Sequence, residues 1–213
     1  MKYAAYIFDL DGTLLDTLPD LVVHTNQALK DCGFPQRSRE EILSYVGNGI
    51  KALMLQAVPL GTPEKAALAA LDRWKALFED FGNELTTPFP GVVETLEALQ
   101  AQGARMAVLS NKFDRGTQEI IQQRLPGLFE VVHGECEGIP RKPDPTGLLR
   151  TISELGAQPH QAVYVGDSPG DVLTARNAGC AAVAITYGYH TPEEMRAVGA
   201  DHVVDAFPQI LHL

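Results

Sequence analysis

The chain has little that would tie it to an oxidising compartment, a membrane or a polyanion. Its 213 residues include three cysteines, Cys32, Cys136 and Cys180, and a single tryptophan, Trp74. Three widely spaced thiols supply neither a disulfide framework nor a zinc cluster, and reduced thiols suit the cytoplasm. No apolar run is long enough to span a bilayer, and the N-terminal one is cut by Asp9 and Asp11, so neither a leader peptide nor a membrane partner is expected. Positive charge is scarce: 17 Lys and Arg face 27 Asp and Glu, a formal charge of -10. No basic block offsets this locally, so no nucleic-acid partner is expected, and an anionic ligand needs a local side-chain cation or a metal. Internal repeats and low-complexity tracts are also lacking, and the sequence does not decide between a monomer and a homodimer.

What is present suits an ordinary folded chain. A content of 45% hydrophobic and 21% charged residues is enough for one good core and a smaller second body. The stretch that organises it is Ala4 to Asp16. An apolar run of strand length stops at Asp9, two carboxylates are spaced by one residue, and Gly12 permits a tight turn. In a parallel sheet the C-terminal strand ends line the ligand crevice, which places the chemistry at Asp9. A turn with no function is one alternative. A calcium loop is another, but one starting at Asp9 needs glycine where Leu14 stands and a bidentate Glu where Asp20 stands.

After Asp16 the pattern becomes helical. Thr17 and Pro19 suit a helix start, and Leu21, Val22, Ala28 and Leu29 recur at near-helical spacing up to Gly33 and Pro35. Helices are expected at about Ser38 to Val46, Gly49 to Val58 and Pro63 to Phe81, with no strand between Thr17 and Thr87. The run from Thr86 to Gly91 reads as a stiff linker. Strands are then expected at Arg105 to Leu109, Phe129 to His133, Ala162 to Val165, Ala181 to Ile185 and His202 to Val204, with helices at Val92 to Gln102, Arg115 to Arg124, from the Lys142 loop to Gly156, and to about Ala178. Such alternation gives an α/β fold with a parallel sheet and right-handed crossovers.

Three strand ends carry polar groups: Asp9 and Asp11, then Ser110, then Asp167 with Asp171. Lys142 joins them from a loop. Each has an ordinary explanation, since Ser110 and Asp167 could cap helices and Lys142 could be solvated. Together they supply a carboxylate nucleophile, an acid/base, oxygen ligands for magnesium, a hydroxyl donor and a cation, which are the parts phosphoryl transfer needs.

Asp9-Leu10-Asp11-Gly12-Thr13, Ser110, Lys142 before Pro143, and Gly166-Asp167 with Asp171 resemble, in order and separation, the four motifs of the haloacid dehalogenase superfamily of phosphohydrolases. Ser110-Asn111-Lys112, Lys142-Pro143-Asp144-Pro145, the Gly47-Asn48-Gly49 turn and Thr186-Tyr187-Gly188-Tyr189 resemble its phosphoglycolate phosphatase branch. The resemblance implies a Rossmann-like core from residues 1–15 and 88–213, with an all-helical cap of the C1 type at 16–87 hinged near Leu15 to Leu18 and Thr86 to Pro90.

It further implies Mg2+-dependent hydrolysis of a small anionic phosphomonoester, 2-phosphoglycolate first. Asp9 would become an aspartyl phosphate, and Asp11 would act as general acid and then general base. Mg2+ would sit on Asp9, the backbone carbonyl of Asp11, and Asp167, with Asp171 behind them or as an alternative ligand. Ser110 and the Asn111 N–H would hold phosphoryl oxygens while Lys142 offsets negative charge. Gly47, Asn48, Gly49, Lys51 and Lys112 are candidates for substrate choice, through helix N–H groups and two ammonium groups.

Asp11 leans toward ester hydrolysis and away from dehalogenases and transport ATPases, and Thr13 leans away from the sugar-phosphate mutases. The rivals are a sugar-phosphate phosphatase, a β-phosphoglucomutase-like mutase, and a non-catalytic phosphometabolite-binding protein. His24 is read as structural or solvated, Trp74 as cap core, and Tyr187 and Tyr189 as packing residues. Cys136 and Arg141 flank the Lys142 loop in sequence only.

Overall fold

A computed structural model describes residues 2–213, which divide into two compact units, one of residues up to Asp16 with Thr87–Leu213 and the other of Thr17–Thr86. The first unit is built on a six-stranded parallel sheet. Its strands are β1 (Ala5–Phe8), β4 (Arg105–Phe113), β5 (Val131–Glu135), β6 (Ala162–Gly166), β7 (Ala181–Ile185) and β8 (His202–Val204), in the order β5-β4-β1-β6-β7-β8. β1 is central because all four of its residues are buried, and side chains alternate across it. Tyr6 and Phe8 point to one face, with α5 (Val92–Ala101), α6 (Asp114–Arg124) and the C-terminal 3-10 turn Phe207–His212. Ala5 and Ile7 point to the other, with α7 (Thr146–Glu154), α8 (Pro169–Ala178) and α9 (Pro192–Ala197).

This order positions the site. The chain leaves β1 toward β4 and β5, then crosses back to place β6, β7 and β8 on the other side. Neighbouring strands whose connections run in opposite directions leave a crevice at their C-terminal ends. Asp9, Ser110 and Asp167 follow or lie near the ends of β1, β4 and β6.

Several boundaries differ from the sequence expectation. β4 continues past Leu109 to Phe113, so Ser110, Asn111 and Lys112 belong to the strand rather than to a loop after it. The apolar alternation stops at Leu109, but the backbone resumes pairing at Phe113 with Glu135 after a register shift. β5 begins at Val131 instead of Phe129, whose ring packs edge-on against Phe8 at 6.2 Å. The Thr86 to Gly91 linker contains a strand, β3 (Thr87–Pro88), paired antiparallel with β2 (Leu15–Asp16). α9 was not expected although its Thr191-x-x-Glu194 capping box is legible in the sequence.

The second unit holds α1 (Leu18–Asp31), α2 (Arg39–Ser44), α3 (Gly49–Ala57) and α4 (Glu64–Phe81). Trp74 stacks on Phe78 at 5.7 Å and meets the His24 ring edge-on at 5.8 Å, so both residues lie in the helical core. A Ser38–Glu41 capping box starts α2, while Thr17 precedes α1 with no side-chain cap bond. Buried Asp20 in the first turn of α1 accepts hydrogen bonds from the Leu85 N–H at 3.1 Å and the Thr86 hydroxyl at 2.7 Å. It ties the two ends of the unit together.

No helix among the described residues is long and apolar enough to cross a membrane. Asp20→Ala should cost about 1–3 kcal/mol, because it strands the buried Thr86 hydroxyl and the partly buried Leu85 N–H. Hydrogen exchange should show the Leu85 amide exchanging faster; unchanged protection would remove the tie.

Candidate active site

The loop after β1 sets the geometry. The Leu10 carbonyl accepts N–H groups of Thr13, Leu14 and Leu15 at 3.3, 3.0 and 3.1 Å, curling the chain into one tight turn. Gly12 has φ +81°, and a side chain there would overlap the Asp167 carboxylate and the Tyr189 ring. Gly188 is confined in the same way, since a methyl would overlap Asp167 and the Gly12 carbonyl. The two glycines let three backbone segments close around one carboxylate.

Asp167 is buried and accepts a hydrogen bond at each carboxylate oxygen. Its Oδ1 accepts from the Thr13 hydroxyl at 2.9 Å, and its Oδ2 from the Tyr189 N–H at 2.7 Å. Asp171 opens α8 in a reciprocal capping box with Ser168, whose hydroxyl and N–H both donate to Asp171 Oδ2 at 2.6 and 3.0 Å. Ser168, rather than Asp167, is therefore the cap. The other Asp171 oxygen accepts from the Lys142 ammonium at 2.6 Å.

Lys142 is held from every side. Its Nζ donates to the Tyr164 hydroxyl at 2.9 Å and lies 2.8 Å from Asp9 Oδ1, and the Tyr164 hydroxyl donates to the Leu109 carbonyl at 2.8 Å. Asn111 fixes the loop, with its Oδ1 accepting the Lys142 N–H at 3.0 Å, while Asn177 donates to the Pro143 carbonyl at 3.0 Å. Burial opposes the ammonium charge, but Asp171 and Asp9 outweigh it and hold Lys142 well above the ordinary lysine range.

Asp9 and Asp167 are pushed toward their neutral forms. Burial pushes the Asp9 carboxyl up to about 7, with Lys142 pulling it down and Asp171 adding repulsion. Asp167 is raised well above its ordinary value by burial, then by Asp171 and Asp9.

Asp9 Oδ1 is buried, and its partner is the Lys142 ammonium at 2.8 Å. Carboxylate oxygens of Asp9, Asp167 and Asp171 lie within 4.8 Å of one another. Hard oxygen donors and three buried carboxylates, of which Lys142 pairs with two, fit a divalent cation.

Asp11 follows β1, and its Oδ1 lies 3.6 Å from the ammonium of buried Lys112. Ser110 is buried, with its Oγ accepting the Lys112 N–H at 3.2 Å. The first unit thus brings together Asp9, Asp11, Ser110, Asn111, Lys112, Lys142, Asp167 and Asp171. Gly47, Asn48, Gly49 and Lys51 belong to the helical unit, where Gly47 has φ +112° and exposed Lys51 lies in the first turn of α3.

Sequence reasoning missed the supports. Tyr164 is a hydroxyl in an otherwise apolar buried strand, a pattern that calls for a polar partner. Tyr187 packs on Phe89 at 4.8 Å, and its hydroxyl donates to the Thr13 carbonyl at 2.7 Å. Tyr189 contributes more than packing, its N–H holding Asp167 and its hydroxyl lying 3.2 Å from Asp16 Oδ1. Arg141 pairs with Glu135 at 2.5 Å.

Residues 6–185 match the haloacid dehalogenase-like hydrolase family. The chain belongs to that family. It is 37% identical to a phosphoglycolate phosphatase of Vibrio parahaemolyticus serotype O3:K6, over 97% of this chain and 93% of that protein. Identity to a Haemophilus influenzae phosphoglycolate phosphatase is 34%, covering 97% and 96%. The crystal structure of a predicted phosphoglycolate phosphatase from Haemophilus somnus 129PT superposes with a TM-score of 0.93 at 33% identity, covering 100% of this chain and 98% of that one. The expected phosphatase class and α/β fold therefore hold.

The Asp9 value gives a pH prediction. Between about pH 4 and 7 the folded, cation-free protein keeps a proton on Asp9 that an ordinary aspartate has lost, and a cation must displace it. Divalent-cation affinity should therefore fall about tenfold per pH unit below 7, or more if Asp167 also releases a proton, and level off above. Isothermal titration in two buffers of different ionisation enthalpy should show proton release at pH 6 that fades by pH 8.5; a pH-independent affinity would contradict the site.

Proposed function

We propose that the chain hydrolyses small phosphomonoesters through an aspartyl phosphate on Asp9, with 2-phosphoglycolate as preferred substrate, Mg2+ as cation and the cytoplasm as its compartment. The carrying observation is Asp9 itself: a buried carboxylate at the end of the central strand, 2.8 Å from a fixed ammonium, with a second acid two residues on.

In the first half-reaction an Asp9 oxygen bonds to phosphorus as the ester P–O bond opens, and Asp11 gives its proton to the departing alkoxide. In the second, Asp11 takes a proton from water as that water bonds to phosphorus, and Asp9 leaves as a carboxylate with phosphate released. The Ser110 hydroxyl and Asn111 N–H donate to phosphoryl oxygens, and Lys142 offsets the charge of Asp9 and the incoming phosphate. Asp9, the Asp11 carbonyl and Asp167 would hold the cation, which when bound supplies Lewis-acid charge to the phosphoryl group. Asp171, which accepts from the Lys142 ammonium at 2.6 Å, serves chiefly as its anchor.

The 34–37% identity to proteins named phosphoglycolate phosphatase supports the substrate. Within the helical unit, the Gly47-Asn48-Gly49 turn and Lys51 offer N–H groups and an ammonium that suit an anion.

Phosphate release should be measured from 2-phosphoglycolate, sugar phosphates, pyrophosphate and nucleotides, with Mg2+ or a chelator. A kcat/KM for 2-phosphoglycolate at least about tenfold above the others is expected, lost on chelation. Asp9→Ala should fall to background while keeping its fold. A broad, metal-dependent profile would remove the substrate, and an active Asp9→Ala would remove the mechanism.

A further inference from the structure

Lys112 is a buried lysine that the phosphoryl-transfer reading leaves without a defined task. Its side chain is 7% exposed, and its ammonium sits 3.6 Å from Asp11 Oδ1. Its root on β4 is immobilised. The Lys112 N–H donates to Ser110 Oγ at 3.2 Å, its carbonyl accepts from the Thr117 hydroxyl at 3.3 Å, and Gly134 packs so closely that a methyl there would overlap that carbonyl. A lysine head is buried at such cost only against a partner. Here that partner is Asp11, whereas Lys142 serves Asp9 and Asp171.

We infer that Lys112 is a positioning residue for the proton transfers of Asp11, orienting its carboxyl group and stabilising the charge it gains as the ester bond breaks. The inference rests on the phosphomonoesterase reading above. When Asp9 bonds to phosphorus, the electron pair of the broken P–O bond stays on the alkoxide oxygen, which takes the Asp11 proton, and Asp11 becomes a carboxylate facing Lys112. An interaction stronger with the carboxylate than with the acid acts in the transition state. Holding Oδ1 also selects the other oxygen to carry the proton, so the acid is presented in one orientation. In the second half-reaction the water proton returns to Asp11 and the cycle closes. This use of Lys112 differs from reading a substrate anion.

The test compares kcat/KM for three esters, because that constant covers only the steps up to the aspartyl phosphate. 2-Phosphoglycolate and ethyl phosphate have poor alkoxide leaving groups that need an acid; 4-nitrophenyl phosphate has one that does not. Lys112→Met should lower kcat/KM for both alkyl esters by about tenfold to hundredfold and for the aryl ester by less than about threefold. Lys112→Arg should recover most of the loss, and Lys112→Met should add almost nothing in an Asp11→Asn background.

Loss on 2-phosphoglycolate alone would make Lys112 a reader of the substrate carboxylate and overturn the inference. Equal loss on all three esters, with circular dichroism unchanged or not, would reduce it to a structural role; no loss would dismiss it. A wild-type protein that turns over none of the three would remove the phosphatase reading itself, so the wild-type control separates the two failures.

Discussion

One buried ammonium, that of Lys142, holds the site together. Its contacts of 2.8 Å to Asp9 and 2.6 Å to Asp171 are each worth on the order of 5 kcal/mol at an effective dielectric near 20, while each buried ion loses several kcal/mol of hydration. A single carboxylate partner would barely offset that loss. Two partners and the Tyr164 hydroxyl tip the balance, which is why the ammonium stays charged in a protein interior. The same comparison leaves the acids short of positive charge. Burial raises Asp9 to about 7 despite Lys142, and burial with repulsion from Asp171 and Asp9 raises Asp167 well above its ordinary value. The site is built to take up further cation charge before it can take up a phosphate dianion.

That charge crowding is tolerable because the surrounding backbone is fixed. Asp171 offers one oxygen to Lys142 while the capping box with Ser168 holds the other. Asp167 could not sit so close to the Asp9 loop if Gly12 or Gly188 carried a side chain. The Lys142 loop is bound to β4 by Asn111 and to α8 by Asn177, so the ammonium approaches along one route. A site prepared in this way spends little reorganisation on reaction, which is where preorganised electrostatics acts.

The sheet and its acids were legible because they follow local rules. Ala5 to Phe8 is an apolar run ended by Asp9, and no helical pattern competes with it. Lys142 and Asp167 were legible as motif residues, but the reason they work was not. The Tyr164 hydroxyl, the Asn111 side chain and the Tyr189 N–H act across sequence separations of 22 or more, for which spacing gives no signal. The extension of β4 to Phe113 was hidden for a different reason. Polarity in Ser110, Asn111 and Lys112 marks what the side chains face, while strand pairing is set by backbone groups that polarity does not report.

The two lysines illustrate how distance suits charge to task. Lys142 lies at hydrogen-bond range from carboxylates that must be ionised to attack or to anchor. Lys112 stands farther off, 3.6 Å from a carboxyl group that must alternately give and take a proton. An ammonium facing Oδ1 orients the group and attracts its developing charge while the other oxygen exchanges the proton. Arg in place of Lys112 would keep the attraction but present a wide planar fork, so substitution there separates the contribution of charge from that of shape.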